Sequence, residues 1–210
     1  MSKIIYYFHL ILALLLQAFL FKTKTYYEDD RRQNKRIKES AIIISNHRSF
    51  LDGLVIALRF FSKRFHFIAI DFYKYRFKIV KFIVRTAGGI FVDSEVNSFD
   101  FIEKSKRIIA KGRPIMVFPE GDFKHTYEPS KFSAGYIMLA IKTGAKIIPI
   151  VNDFNYGLFK RVHLMIGNSI DLSGYSNAEL TKAKLKEINE EIYAKFLTLF
   201  YELKRRKEKL

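Results

Sequence analysis

Residues 45–53 read Ser-Asn-His-Arg-Ser-Phe-Leu-Asp-Gly and place an imidazole, His47, five positions before a carboxylate, Asp52. An imidazole nitrogen accepts a proton near neutral pH. A carboxylate on the other nitrogen holds one tautomer and steadies the cation that forms. Such a pair is equipped to take a proton from a hydroxyl. On one continuous helix a separation of five would turn the two side chains apart, because helical neighbours lie three or four residues away. The chemistry therefore needs His47 in a turn and Asp52 in the first turn of a helix. The local pattern meets that need: the branched run 41–44 predicts a strand, and the apolar stretch 51–61 predicts a helix opening near Ser49. A second reading stays open at this point. Ser49 and Asp52 have the spacing of a capping box, with Asp in place of Glu or Gln, and the carboxylate would then only close the helix end.

The elements that must position these groups alternate along the chain. Short aliphatic or aromatic runs predict strands at 41–44, 65–70, 89–92, 115–118, 146–151 and 162–166. Longer periodic stretches predict helices at 51–61, 76–86, 98–111, 134–143 and 177–205. Asn97 or Ser98 is placed to cap the third helix, Gly112 and Gly144 follow helix ends, and Ser176 to Glu179 have a capping-box spacing before the last helix. That helix carries Leu185, Ile188, Ile192, Phe196, Leu199 and Leu203 on one stripe, which predicts docking on the body. A basic amphipathic helix lying on a membrane is the alternative.

Strand and helix in alternation predict an α/β fold, with a mostly parallel central sheet flanked by helices. Sites in such sheets collect at the carboxyl ends of strands. His47, Asp93 and Glu120 each follow a predicted strand.

The 210 residues carry a net charge of +16 and no cysteine, which excludes disulfides, thiolate catalysis and cysteine-ligated zinc. Such a charge favours an anionic partner. No basic–aromatic RNA-binding motif and no helix-turn-helix pattern is present, so lipid leads and nucleic acid is not expected. Residues 4–21 form a nearly unbroken apolar run, about 27 Å long as a helix against roughly 30 Å of bilayer hydrocarbon. Lys22, Lys24 and the cluster Arg31, Arg32, Lys35, Arg36 and Lys38 follow it. We therefore expect an N-terminal membrane segment and basic collar over 1–38, a folded domain over 39–210, and a body on the cytoplasmic face of the cell membrane. The histidines His66, His125 and His163 share no metal-ligand spacing, and neither a phosphate-cradling loop nor a serine nucleophile elbow is found. His66, on an apolar strand, reads as a core or edge histidine.

Four stretches together resemble the glycerolipid acyltransferase family, whose members acylate glycerol-3-phosphate, lysophosphatidic acid and related lysophospholipids. Asn46 to Asp52 is similar to its His-four-residues-Asp block, and Gly89-Ile90-Phe91-Val92-Asp93 to its Gly-x-Phe-x-Asp block. Val117-Phe118-Pro119-Glu120-Gly121 resembles its Phe-Pro-Glu-Gly block, and Ile148-Pro149-Ile150 its apolar-Pro-apolar block. The resemblance spans roughly 40–170 and keeps the family's order and spacing.

It implies that His47 is the general base that deprotonates an acceptor hydroxyl attacking an acyl thioester, with Asp52 orienting the ring. It also implies that Pro119, Glu120 and Gly121, with Gly89, Phe91 and Asp93, line the acceptor site. No cofactor is implied; acyl-CoA or acyl carrier protein is a co-substrate and membrane lipids supply the acceptor. Three basic positions of the family pattern are replaced here by Ser94, Phe123 and Ser133. Neither Ser nor Phe reproduces the two-pronged phosphate contact of Arg. Arg48, Lys124 and Lys131 stand nearby in sequence as possible substitutes. Rival readings are a thioesterase using water as acceptor, a catalytically decayed membrane-binding domain, and a nucleic-acid binder supported by charge alone.

Overall fold

The computed structural model describes residues 21–29, 40–60, 63–70, 88–92, 98–121, 123, 126, 128–175 and 180–209, with 4, 7, 8, 11 and 15. One sheet holds the strands β1 (Phe21–Tyr27), β2 (Ala41–Ser45), β3 (His66–Ile70), β4 (Gly89–Val92), β5 (Ile115–Val117), β6 (Lys146–Asn152) and β7 (Lys160–Ile166). Their order is β1-β7-β6-β2-β5-β3-β4. The helices described are α1 (Phe50–Arg59), α2 (Ser98–Ala110), α3 (Gly135–Thr143) and α4 (Lys182–Glu208). Every neighbouring pair is parallel except β6 with β7. Strands β2 to β6 thus end at one edge of the sheet, and β7 and β1 begin at that same edge.

The central strands are apolar throughout because both sheet faces are covered. Ile42 and Ile44 of β2 face one core with Ile109 of α2, Ile137 of α3 and Phe196 of α4. Ile43 faces the other with Val55 and Ile56 of α1. The stripe on α4 is docked as expected: Ile188, Ile192, Phe196, Leu199 and Leu203 are all buried. The six strands expected from sequence and the helices over 50–59, 98–110 and 135–143 form with ends moved by a few residues at most.

Two expectations need correction. Phe21, expected to end the apolar run, and residues 22–27, expected as collar, form β1, paired in parallel with β7, so a boundary at residue 38 would cut the sheet. The run Lys-Thr-Lys-Thr-Tyr-Tyr carries β-branched and aromatic residues in alternation with charge, which suits an edge strand. Arg59 on α1 secures it through Thr25 Oγ1 at 2.7 Å and Tyr27 Oη at 2.8 Å. The last helix opens at Lys182, where the Thr181 hydroxyl accepts the Lys184 N–H, rather than at 177.

The helix expected at 76–86, the caps at Asn97 and Ser176, and most of the apolar run 4–21 lie outside the described residues. Ile4, Tyr7, Phe8, Ile11 and Leu15 of that run are helical and exposed. Among the described residues, no helix is long and apolar enough to cross a membrane.

His66 opens β3 and is half-buried. Its Nδ1 donates to the Gly88 carbonyl at 3.1 Å, and Nε2 is buried without a partner among the described residues. Burial, reinforced by the Arg64 charge, lowers its pKa from 6.5 to about 4. Below pH 6.5 the unfolded chain takes up a proton that the folded chain refuses until about pH 4. Stability should therefore fall as pH drops through that window. Urea midpoints measured across it should decline less steeply in His66→Phe than in the unsubstituted protein.

Candidate active site

Strand β2 ends at Ser45, and the next residues turn over the carboxyl edge of the sheet before α1 begins. His47 lies in that turn and Asp52 in the first turn of α1, which brings Nδ1 of the ring to 3.0 Å from Asp52 Oδ2. The side chain of Asp52 is wholly buried and that of His47 is 16% exposed. Asp52 reaches the imidazole and caps the helix at once. The Ser49 hydroxyl accepts the Leu51 N–H while Asp52 Oδ2 accepts the Ser49 N–H at 2.8 Å, completing a capping box. The same oxygen accepts the Arg48 N–H at 2.6 Å. The carboxylate that caps the helix therefore also aims the imidazole. Nδ1 serves as donor to the carboxylate, which leaves Nε2 as the basic nitrogen.

The second oxygen of Asp52 is held by residues that sequence reasoning missed. Tyr156 Oη donates to Oδ1, and the Asn152 side-chain amide lies 3.4 Å from it. Burial, with the charge of Asp52 beside it, drives the Tyr156 phenol well above its usual range, so it remains a donor. Asn152 closes β6 and is locked to Asn46: the Asn46 amide donates to the Asn152 carbonyl, and the Asn152 N–H donates to Asn46 Oδ1, each at 2.9 Å. Two adjacent parallel strands are thus stapled just beyond their last ladder bonds. An asparagine ending the apolar run Ile-Ile-Pro-Ile-Val was the available signal.

The ring of His47 stacks on Phe118 with centroids 3.8 Å apart, and Phe123 lies at 4.4 Å, tilted by 45°. Phe123 occupies one of the positions where a basic residue was expected, and it contacts the imidazole instead. Phe132, also in that region, is buried in the core, and Ser133 donates its N–H to the Pro119 carbonyl at 2.8 Å. Ser94 lies outside the described residues.

Glu120 accepts the His47 N–H at 3.0 Å on one oxygen and the Ser130 N–H at 2.8 Å on the other. It clamps the His47 turn to Ser130. Burial raises its carboxyl above the ordinary value, and those two N–H groups pull it back. Glu120→Gln must set an NH2 group against one backbone N–H, leaving a donor unsatisfied at about 1–3 kcal/mol. We expect turnover to fall about tenfold or more through displacement of His47. Steady-state kinetics beside a melting curve checks both effects.

The other sequence candidates are dispersed. Gly121 has φ of +81° with nothing within 4 Å of where a Cβ would stand, so the backbone is open there. Pro119 is buried in the same turn. Gly89 opens β4 opposite Phe67, at the amino end of the strand and away from the edge that carries His47. The conformationally demanding glycine is Gly88, with φ of +102° and the Phe65 carbonyl 2.5 Å from a would-be Cβ. Phe91 lies within β4, paired with Ala69. Asp93 and Lys124 fall outside the described residues.

Arg48 donates to the Thr126 carbonyl, and its guanidinium lies 4.7 Å above the Phe154 ring. It lines a cavity of about 230 Å³ together with Lys204 and Lys207. A second His–Asp pair sits at this edge: Nδ1 of His163 is 2.8 Å from Asp153 Oδ2. That oxygen also pairs with Lys207 at 2.7 Å, and Nε2 of His163 is buried, so this pair does not present a base to a ligand.

Residues 24–153 match the family described as Acyltransferase. A 1-acyl-sn-glycerol-3-phosphate acyltransferase of Borreliella burgdorferi is 29% identical over 178 residues, 77% of this chain and 68% of that protein. One from Chlamydomonas reinhardtii is 25% identical over 118 residues, covering 52% of this chain and 32% of that protein. The crystal structure of the 1-acyl-sn-glycerophosphate acyltransferase PlsC from Thermotoga maritima aligns with a TM-score of 0.63 at 20% identity, over 98% of this chain and 79% of that one. At that identity the likeness concerns the fold.

Proposed function

The chain belongs to the acyltransferase family, and from that premise we propose that it moves a fatty acyl group from a thioester to the hydroxyl of a lysophospholipid or other glycerol-phosphate-type acceptor, in phospholipid synthesis or remodelling. The observation that carries this reading is the His47–Asp52 pair, with its carboxylate buried and fully hydrogen bonded and its ring at the carboxyl edge of the sheet.

His47 Nε2 takes the proton of the acceptor hydroxyl as its oxygen attacks the thioester carbonyl. Asp52 stabilises the imidazolium that forms. Collapse of the tetrahedral adduct breaks the C–S bond, and the imidazolium returns its proton to the departing thiolate of coenzyme A or acyl carrier protein. No covalent enzyme intermediate is needed. General-base assistance contributes roughly 10²–10⁴ in rate, and positioning supplies much of the remainder. Phe118 and Phe123 restrict the ring to one plane.

The acceptor assignment draws on the relatives' named substrate, 1-acyl-sn-glycerol-3-phosphate. With Phe123 and Ser133 unable to bind phosphate as Arg does, Arg48, next to His47 in the chain and lining the 230 Å³ cavity, is the cation we assign to the headgroup among the described residues.

The deciding experiment is radiolabelled acyl transfer by purified protein in detergent. Acyl-CoA and acyl carrier protein donors are paired with lysophosphatidate, lysophosphodiesters and a phosphate-free monoacylglycerol. Label should enter a phosphate-bearing lysolipid, and Arg48→Ala should raise KM for that acceptor. Release of free fatty acid at a rate indifferent to acceptor would replace this reading with hydrolysis.

A further inference from the structure

We propose that the tip of the β6–β7 hairpin, residues 157–161, is a bilayer-insertion element that seats the catalytic edge of the sheet on an anionic membrane. The proposal rests on the reading that the acceptor is a membrane lipid.

The tip reads Gly-Leu-Phe-Lys-Arg. Leu158 is 66% exposed and Phe159 is 94% exposed, the most exposed large apolar side chain among the described residues. They occupy the two central positions of a turn closed by the Lys160 N–H on the Gly157 carbonyl at 3.0 Å. Phe159 has φ of +62°, a left-handed conformation that glycine or asparagine tolerates and an aromatic residue resists. A large apolar side chain in a strained position with nothing of the fold to cover it is not explained by folding. Strain of this kind marks functional positions.

The placement names the partner. The last β6 residue paired with β7 is Asn152, opposite Leu164, so residues 160–163 run on past the end of the ladder. At strand rise the ribbon projects roughly 13 Å beyond it. Its other strand is β1, in which Phe21 pairs with Lys160 and Lys22 with Arg161. The apolar run 4–21 therefore joins the fold beside this tip, and His47 follows β2 at the same edge. Lys22, Lys160 and Arg161 are exposed around the apolar pair. Two apolar side chains at a protruding point, ringed by cations, match a bilayer with acidic headgroups: the side chains enter the acyl boundary and the cations stay with the phosphates.

The chain has no tryptophan, so Phe159→Trp creates a single selective reporter. Full-length Phe159→Trp is mixed with phosphatidylcholine vesicles with and without phosphatidylglycerol, some containing brominated acyl chains. Its emission should move to the blue and be quenched by bromolipid, most strongly with phosphatidylglycerol. Lys111→Trp, at an exposed position on the opposite edge of the sheet, should do neither. Leu158→Asn with Phe159→Gly should lower vesicle partitioning about tenfold. It should cut transfer to acceptor embedded in vesicles while leaving transfer to detergent-dispersed acceptor unchanged.

Protein that sediments with vesicles while the indole of Phe159→Trp stays unshifted and unquenched would overturn the proposal. So would protein that does not sediment, or a blue shift that depends on protein concentration and not on vesicles, which would mark contact between copies. Absence of transfer in detergent by the unsubstituted protein would refute the catalytic reading instead, with the fluorescence result standing by itself.

Discussion

His47→Ala is expected to slow acyl transfer by about 10²–10⁴-fold, the contribution of a positioned general base, while the melting temperature changes little. The two outcomes separate because the imidazole is one of several donors to Asp52. Without it, Oδ2 still accepts the Arg48 and Ser49 N–H groups, and Tyr156 and Asn152 still flank Oδ1. The turn stays closed and α1 stays capped. What disappears is the group that carries the proton, along with its stacking on Phe118. KM for both substrates should hold near its original value, because the ring acts on the transition state. Radiolabelled transfer and a thermal melt on the same preparation test this pairing. A melting temperature that falls along with activity would mean that His47 supports the fold.

Asp52 should behave in the opposite way, and its two substitutions should diverge. Asp52→Ala strips the acceptor from two backbone N–H groups, the His47 Nδ1, the Tyr156 hydroxyl and the Asn152 amide inside a fully buried site. Each buried unsatisfied donor costs about 1–3 kcal/mol. The combined effect is expected to reach about 3–5 kcal/mol, a large share of the usual 5–15 kcal/mol of a folded domain. The melting point should drop by about 10 °C or more.

Asp52→Asn has a way to keep the fold. Its carbonyl oxygen can face the Arg48, Ser49 and His47 donors, and its NH2 can face Tyr156, whose hydroxyl rotates to accept; the Asn152 amide gives up its 3.4 Å contact but keeps Tyr156 Oη as acceptor. We expect folded protein with kcat lowered about 10²–10³-fold, because the charge that stabilises the imidazolium is gone. Loss of activity in Asp52→Asn without loss of stability, beside a destabilised Asp52→Ala, would separate the catalytic from the capping role.

Much of this molecule is legible in its residues alone. The elements around His47 are local in origin. A run of branched aliphatics makes β2, the Ser49–Asp52 spacing starts α1, and the turn between them brings together side chains that a continuous helix would hold apart. The parallel sheet follows from strand–helix alternation, and the docked face of α4 follows from a stripe at helical period. What escaped was carried by weaker local signals. Strand β1 has the alternation of an edge strand, but its lysines made it read as a collar. The two oxygens of Glu120 are taken by backbone groups far apart in the chain, at His47 and Ser130, a tie that no motif announces.

The class of fold, the His47–Asp52 pair, and where along the chain they stand are thus written in the sequence, because each depends on periodicity or spacing within a few residues. What surrounds them is a tertiary matter. Asn152 and Tyr156 reach Asp52 from about a hundred residues away, because β6 lies beside β2 in the sheet. Phe123 covers the imidazole from a separate loop. Sheet order also sets the β6–β7 tip and the start of β1 at the edge that carries His47: one antiparallel pair, β6 with β7, reverses the last two strands. Strand order is set by how both sheet faces are buried at once, a property of the whole chain that no short stretch of it contains.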